Sequence, residues 1–416
     1  MQVLRLSGRL WRHGDFLKLW TAQAVSDFGA RITREGLPMA AVLTMGAKPA
    51  ELGVLAALTT GPAVIVGLVS AGWVDRLRRR PLLIGADVVR AAILLTIPLA
   101  ALLHRLSMVQ LYLAAALVGG TSVLFDIVDH AYLPGLIPRD CLMEGNGKLG
   151  ATESLAEIGG PALAGVLFQA LTAPFAIAAN ALTYLISAAF LSGIRQRELE
   201  PSAAAVDQRP SWRGDVAAAA AAIAADPRVR PLFLMGLGQS LFGNAFAPLY
   251  VVFTIRTLHL TPTMLGATIA VGGVGALAGA ILAPGLSARL GLGPTIIAAS
   301  FGSGAAALLI PLAQGAPPLA MAVLMAAQLF GDSLAVAANV PAVSLRQSVL
   351  PPEMLGRTAA VFRASQGAMA VIGAIAGGIL GGTVGVRTTL AGAAVGLTLS
   401  AAFVLASPLR RRGASR

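Results

Sequence analysis

The stretch Gly72-Trp-Val-Asp75-Arg76-Leu77-Arg78-Arg79-Arg80-Pro81-Leu-Leu-Ile84 returns 213 residues later as Gly285-Leu-Ser-Ala288-Arg289-Leu290-Gly-Leu-Gly-Pro294-Thr-Ile-Ile297, with five of thirteen positions identical. Each copy lies between long apolar runs. Chance matches are common in a chain with 47 glycines, so the weight rests on the register. Without a gap, the same offset takes Leu52-Gly53 to Leu265-Gly266, Asp126 to Asn339, Pro138 to Pro351, Gly160 to Gly373 and Gly165 to Gly378. One membrane-embedded unit is therefore present twice.

A bilayer core of about 30 Å takes roughly 20 apolar residues as a helix. On that measure the chain predicts twelve spans, the first at 16–45 and the last at 387–408. They divide it into an N-terminal six-helix half (1–194), a cytoplasmic central loop (195–230) and a C-terminal six-helix half (231–416). Within the loop, the Ala-rich stretch from Val216 to Ala225 predicts a short interfacial helix, with Asp215 as N-cap and Pro227 as stop. The expected fold class is all-α, a polytopic membrane protein of twelve transmembrane helices in two pseudo-symmetric halves. Parallel repeats of this size are the plan of rocking secondary transporters.

The net charge of +12 would suggest nucleic acid for a soluble protein, but at 56% hydrophobic and 12% charged the charges report sidedness instead. With the N-terminus inside, outer loops hold only Lys48, Arg105, Arg256 and Arg387, and Arg31, Arg34 and Arg90 lie within spans. The other 24 of 31 Lys and Arg are then inside. The expectation is a cytoplasmic (inner) membrane protein with both termini cytoplasmic. The single cysteine, Cys141, excludes an intramolecular disulfide. No phosphate-binding Gly-x-x-x-x-Gly-Lys-Ser/Thr loop occurs, and the four histidines and Cys141 have no metal-ligand spacing. Gly273-Val-Gly275-Ala-Leu-Ala278 imitates a dinucleotide fingerprint, but it falls inside a span with no preceding strand and reads as helix packing. No enzyme chemistry, cofactor or metal is expected.

Ionisable groups inside spans cost about 2.5–3.5 kcal/mol each at the centre on insertion scales, so each needs a partner, a wet cavity or a function. In the first span Asp27, Arg31 and Glu35 are successive four-residue steps, with Arg34 beside them, on one helical stripe. That stripe is either a polar wall for substrate or protons, or a self-neutralising Asp27-Arg31-Glu35 ladder. In the fifth span Glu153 and Glu157 share a face with no basic residue one turn away, which makes Glu157 a proton-carrier candidate against a plain interhelical hydrogen bond. Asp332 in the tenth span is a cavity-lining candidate. Asp87, Arg90, Asp126 and Asp129 read as a structural ion-pair network, with Arg90 bonded to Asp126.

The loop at Gly72, Asp75, Arg76, Arg79 and Arg80 resembles the major facilitator superfamily pattern Gly-x-x-x-Asp-Arg-x-Gly-Arg-Arg, with Ala71 and Arg78 where the family usually has glycine. By that resemblance Asp75 and Arg76 belong to a conformational switch whose contacts form in one state and break in the other. Gly160, Pro161 and Gly165 are similar to the Gly-Pro-x-x-Gly-Gly motif of antiporting members, with Ala164 replacing one glycine. Phe125-Asp126-Ile-Val-Asp129-His130 and Ser344-Leu-Arg346-Gln347 look like the enterobactin-exporter and macrolide-efflux branch, although Ala30 stands where members often carry an acid. The resemblance implies a monomeric, proton-gradient-driven exporter of drugs, siderophores or other amphipathic small molecules. Alternatives are a lipid or metabolite carrier on the same fold, including uptake, and a non-transporting membrane receptor or scaffold.

Overall fold

The computed structural model describes residues 8–70, 77–196 and 212–410, and it contains helices and no strand among them. Gly72, Asp75 and Arg76 of the first loop lie outside the described residues. The first six long helices are α1 (Gly14–Met45), α2 (Pro49–Ser70), α3 (Arg79–Leu102), α4 (Met108–Leu136), α5 (Leu142–Ala170) and α6 (Ala173–Ser192). A short α7 (Trp212–Ala225) follows. Then come α8 (Val229–Val252), α9 (Pro262–Leu290) and α10 (Leu292–Ala307), the last continued by α11 (Leu309–Leu312). The chain closes with α12 (Pro317–Val349), α13 (Pro352–Thr383) and α14 (Val386–Ser400), continued by α15 (Ala402–Leu405).

Among the described residues 10 helices are long and apolar enough to cross a membrane. The two remaining long ones, α1 with 32 residues and α5 with 29, carry the charged stripes discussed below. Large apolar side chains such as Ile281 and Val109 stand well exposed, as lipid-facing residues do.

The repeat is written into the helix boundaries. Pro49 and Pro262, Arg79 and Leu292, Leu136 and Val349, Ala170 and Thr383, and Ala173 and Val386 begin or end corresponding helices, each pair 213 residues apart. Packing repeats too: α1–α5, α1–α6, α3–α4 and α3–α6 correspond to α8–α13, α8–α14, α10–α12 and α10–α14. Where the chain leaves its first helix in each copy, Gly46 (φ 67°) and His259 (φ 53°) both adopt left-handed backbone, at no steric cost in the first and at some cost in the second. The second copy of the loop reduces to a turn at Gly291 (φ 95°) between α9 and α10.

By its internal contacts the chain divides into two units, Met1–Met45 with Pro62–Asp207, and Gly46–Gly61 with Gln208–Arg416. This differs from a division into 1–194 and 231–416 chiefly at α2, which is split beside its internal Pro62. In the second unit, Gly53 of α2 and Gly378 of α13 are so close that a Cβ at Gly378 would lie 2.8 Å from the Gly53 Cα. In the first unit, Gly120 of α4 faces Val66 and Pro62 of α2.

Basic residues of the first loop that are described tie helices together inside the first unit. Arg79 donates to the Ala131 carbonyl at 2.7 Å, and Arg80 donates to the carbonyls of Leu191 (2.9 Å) and Ser192. The α6 terminus leaves these acceptors unsatisfied by its own helix, and a cation there also complements the helix dipole.

Asp215 is not an N-cap. Helix α7 starts at Trp212, so Asp215 falls in its first turn, and its carboxylate pairs with Arg357 of α13 at 3.2 Å. The cap at the α7–α8 junction is Asp226, whose carboxylate accepts from the backbone N–H of Arg228 (2.7 Å) and Val229 (3.3 Å). Burial alone would raise this carboxyl; the Arg228 amide and guanidinium and the Val229 amide outweigh it and hold the group below its usual value. A depressed folded pKa gives stability that is full above the unfolded value, about 4, and is lost as pH falls through the folded pKa. Asp226→Ala should therefore cost about 1 kcal/mol at neutral pH, and the gap in thermal midpoint should shrink in acid. An equal gap at pH 7 and pH 3 would count against the cap.

Candidate functional site

Within the first unit a cavity of about 540 Å³ opens between α1, α4 and α5, with Arg90 of α3 in its wall. Helix α1 contributes Gln23, Asp27, Arg31 and Arg34, which places most of the predicted stripe on the cavity. The stripe extends one four-residue step further back than expected, to Gln23, whose amide donates to Asp129 of α4. Helix α4 brings Asp126, Asp129 and His130, and α5 brings Glu153.

The ladder Asp27-Arg31-Glu35 does not form. Arg31 crosses to Glu157 of α5 at 2.5 Å, while Arg34 bridges Glu35 (3.2 Å) and Glu157 (3.1 Å). Glu157 is thus a partner of two arginines, which overturns its reading as an unpaired acid. Sequence spacing exposes neighbours on the same helix only, and both cations reach it from α1. Close approach of those helices depends on Gly160, where a Cβ would lie 2.5 Å from the Arg31 Cβ. Of Gly160, Pro161 and Gly165, it is Gly160 that borders the ion-pair cluster and sets its spacing.

Arg90 is 3% exposed and bonds Asp87, fully buried one turn earlier on α3, rather than Asp126. A partner on the same helix face is within reach whatever the neighbouring helix does. The Arg90 guanidinium also lies between the rings of Phe125 (4.4 Å to the centroid) and Tyr184 (4.2 Å), and donates to Ser122 at 3.3 Å. Asp126 and Asp129 are consequently released from the expected network. Both line the cavity with Asp27 and Glu153, and Asp126, Asp27 and Glu153 have no ion-pair partner among the described residues. Glu153 was visible in sequence as the residue one turn before Glu157; His130 gave no signal beyond its neighbourhood to Asp126 and Asp129.

Asp332 is placed elsewhere, on α12 of the second unit, with its carboxylate against Gly272 of α9. Among the described residues no group of three or more His, Cys, Asp or Glu is arranged to hold a metal ion. The first unit thus offers a mixed-charge chamber inside a helix bundle, with Arg31, Arg34 and Arg90 and the carboxylates of Asp27, Asp126, Asp129 and Glu153 on its wall.

The family model described as Major Facilitator Superfamily matches residues 19–370. No curated protein matches the chain. Among solved structures, a bacterial homologue of the iron transporter ferroportin in its inward-facing state superposes with a TM-score of 0.75 at 17% identity, covering 96% of this chain and 99% of that one. The nucleoside transporter NupG gives 0.74 at 12% identity, with 94% and 98% covered. A bacterial homolog of the human lysosomal transporter Spinster gives 0.74 at 13% identity, with 96% and 97% covered. Identities this low establish the shared fold; the family model, spanning most of the sequence, establishes descent. This multi-pass membrane protein therefore belongs to the Major Facilitator Superfamily, and is a transporter rather than an enzyme.

Proposed function

We propose that the protein is a proton-coupled exporter of amphipathic small molecules, drugs or siderophores among them, in the cytoplasmic membrane with both termini inside. The passages at Phe125–His130 and Ser344–Gln347 resemble the enterobactin-exporter and macrolide-efflux branch, which supports this reading. Energy comes from proton re-entry and no cofactor takes part. The observation that carries this reading is the division of labour among acids around one chamber. Glu35 and Glu157 are committed to Arg34 and Arg31, whereas Asp27 faces the cavity without an ion-pair partner. A carboxyl free of a fixed cation is able to take up and release a proton as its surroundings change between the two states of a carrier. Asp27 is accordingly the coupling residue of choice, and Glu157 a positioning residue for Arg31 and Arg34.

The test uses purified protein in liposomes with an imposed pH gradient and a panel of labelled amphipathic compounds. Wild type should move cargo against its gradient as protons flow the opposite way. Asp27→Asn should lose gradient-driven accumulation, by about tenfold or more, while retaining downhill exchange. Undiminished uphill transport by Asp27→Asn would remove this residue from coupling, and co-directional movement of cargo and protons would replace export by uptake. Glu157→Gln should behave differently, lowering the yield of folded protein because two cations lose their shared counter-ion.

A further inference from the structure

The mixed-charge chamber has a counterpart in the second unit. There α8, α12 and α13 enclose a space of about 240 Å³, and the 213-residue register carries its lining onto that of the first cavity. Gln239 falls on Ser26, Asn339 on Asp126, Ala342 on Asp129 and Gln366 on Glu153. Duplication kept the hole and exchanged its charges. Each of these acids is matched by a neutral residue, and Asp27 corresponds to Ser240. The two lining positions that gained charge gained a positive one, with Arg346 at the place of Leu133 and Arg363 at the place of Gly150.

Neither arginine has an acidic partner among the described residues, whereas Arg357, six residues before Arg363 on α13, is paired with Asp215. Arg346 and Arg363 instead act on each other as like charges. The Arg346 guanidinium is held on the face of Phe362, 4.4 Å from the ring centroid, and Phe362 is in turn braced edge-on by Phe233 at 4.9 Å. A guanidinium fixed by its π face keeps its in-plane N–H donors for another acceptor. Gln239, Asn339 and Gln366 add amide groups around the same space. Two cations facing one small polar hole repel each other unless a negative group lies between them.

We propose that this second cavity binds an oxyanion, the phosphate or carboxylate of a small molecule or of a lipid headgroup, between Arg346 and Arg363. The duplicated pocket has thereby diverged into a mixed-charge chamber in one unit and an anion site in the other. This assignment stands whether cargo is exported or imported.

Inorganic phosphate is the first probe, applied to the intact protein in neutral detergent and in nanodiscs of phosphatidylcholine. Phosphate should bind saturably by equilibrium dialysis. It should also slow phenylglyoxal modification of Arg346 and Arg363, read by mass spectrometry, while leaving the exposed Arg105 unaffected. Arg346→Gln and Arg363→Gln should each weaken phosphate binding by about tenfold or more, and the lysine variants by less. In nanodiscs containing phosphatidylglycerol, protection of both arginines without any effect of added phosphate would assign the site to a lipid headgroup. Equal modification with and without either anion overturns the proposal, and that measurement needs no variant to fold. So does unaltered phosphate binding in a double glutamine variant that elutes and melts as wild type.

Discussion

Arg90→Ala is expected to remove most of the folded protein from the membrane. The substitution deletes a buried cation that bonds Asp87 and sits between Phe125 and Tyr184, and it strands a fully buried carboxylate. Breaking such a pair from one side costs about 3–5 kcal/mol, and two ring contacts are lost besides. Arg90→Lys should recover part of the loss, since it restores charge but not a planar group that fills the slot between two rings. The double variant Asp87→Ala/Arg90→Ala should melt higher than Arg90→Ala alone because the stranded charge is gone. Thermal midpoints in detergent for the four proteins would show this; a double variant no better than the single one would mean that stacking, not the ion pair, holds α3 in place.

Gly373→Val is expected to be nearly as damaging. A Cβ at this position lands on the Leu241 carbonyl oxygen of α8 and 2.9 Å from its carbon. The obstacle is backbone, so a rotamer change cannot relieve it and the two helices must separate. Overpacking of this kind costs about 1–3 kcal/mol where neighbours yield, and more where they do not. Gly382→Val, on the same helix with nothing within 4 Å, is the control and should behave as wild type. Folded yield by fluorescence size exclusion decides between them, and equal yields would refute the close crossing. The equivalent glycine of the first unit meets a side chain instead, the Arg31 Cβ and Cγ, at 2.5 and 2.6 Å. Gly160→Ala should therefore disturb the Arg31–Glu157 pair before it disturbs the bundle.

Residues that sequence placed well were those whose meaning lies along the chain. The offset read from Gly72 and Gly285 reproduced helix ends as distant as Ala173 and Val386, because a duplicated gene carries its caps, prolines and span lengths with it. Asp27, Arg31 and Arg34 were placed on one stripe by their spacing, and that stripe faces a cavity. Residues that sequence misplaced were those whose partners come from other helices. Glu157 looked unpaired because no cation lies a turn away on α5, yet α1 supplies two. Asp126 looked bound to Arg90 because their depths agree, yet Asp87 and two rings claim that guanidinium first.

Hydropathy, span length and register are one-dimensional properties, and they determined an all-helical membrane protein made of one unit twice. Which charges meet, and which are left to face water, depends on how each helix is rotated and how closely glycines let it approach its neighbours. Those quantities exist only in the packed bundle. The sequence shows that Asp126 and Asn339, or Gly150 and Arg363, are equivalent positions. Only the tertiary structure reveals that these positions line one cavity in each unit, of mixed charge in the first and basic in the second.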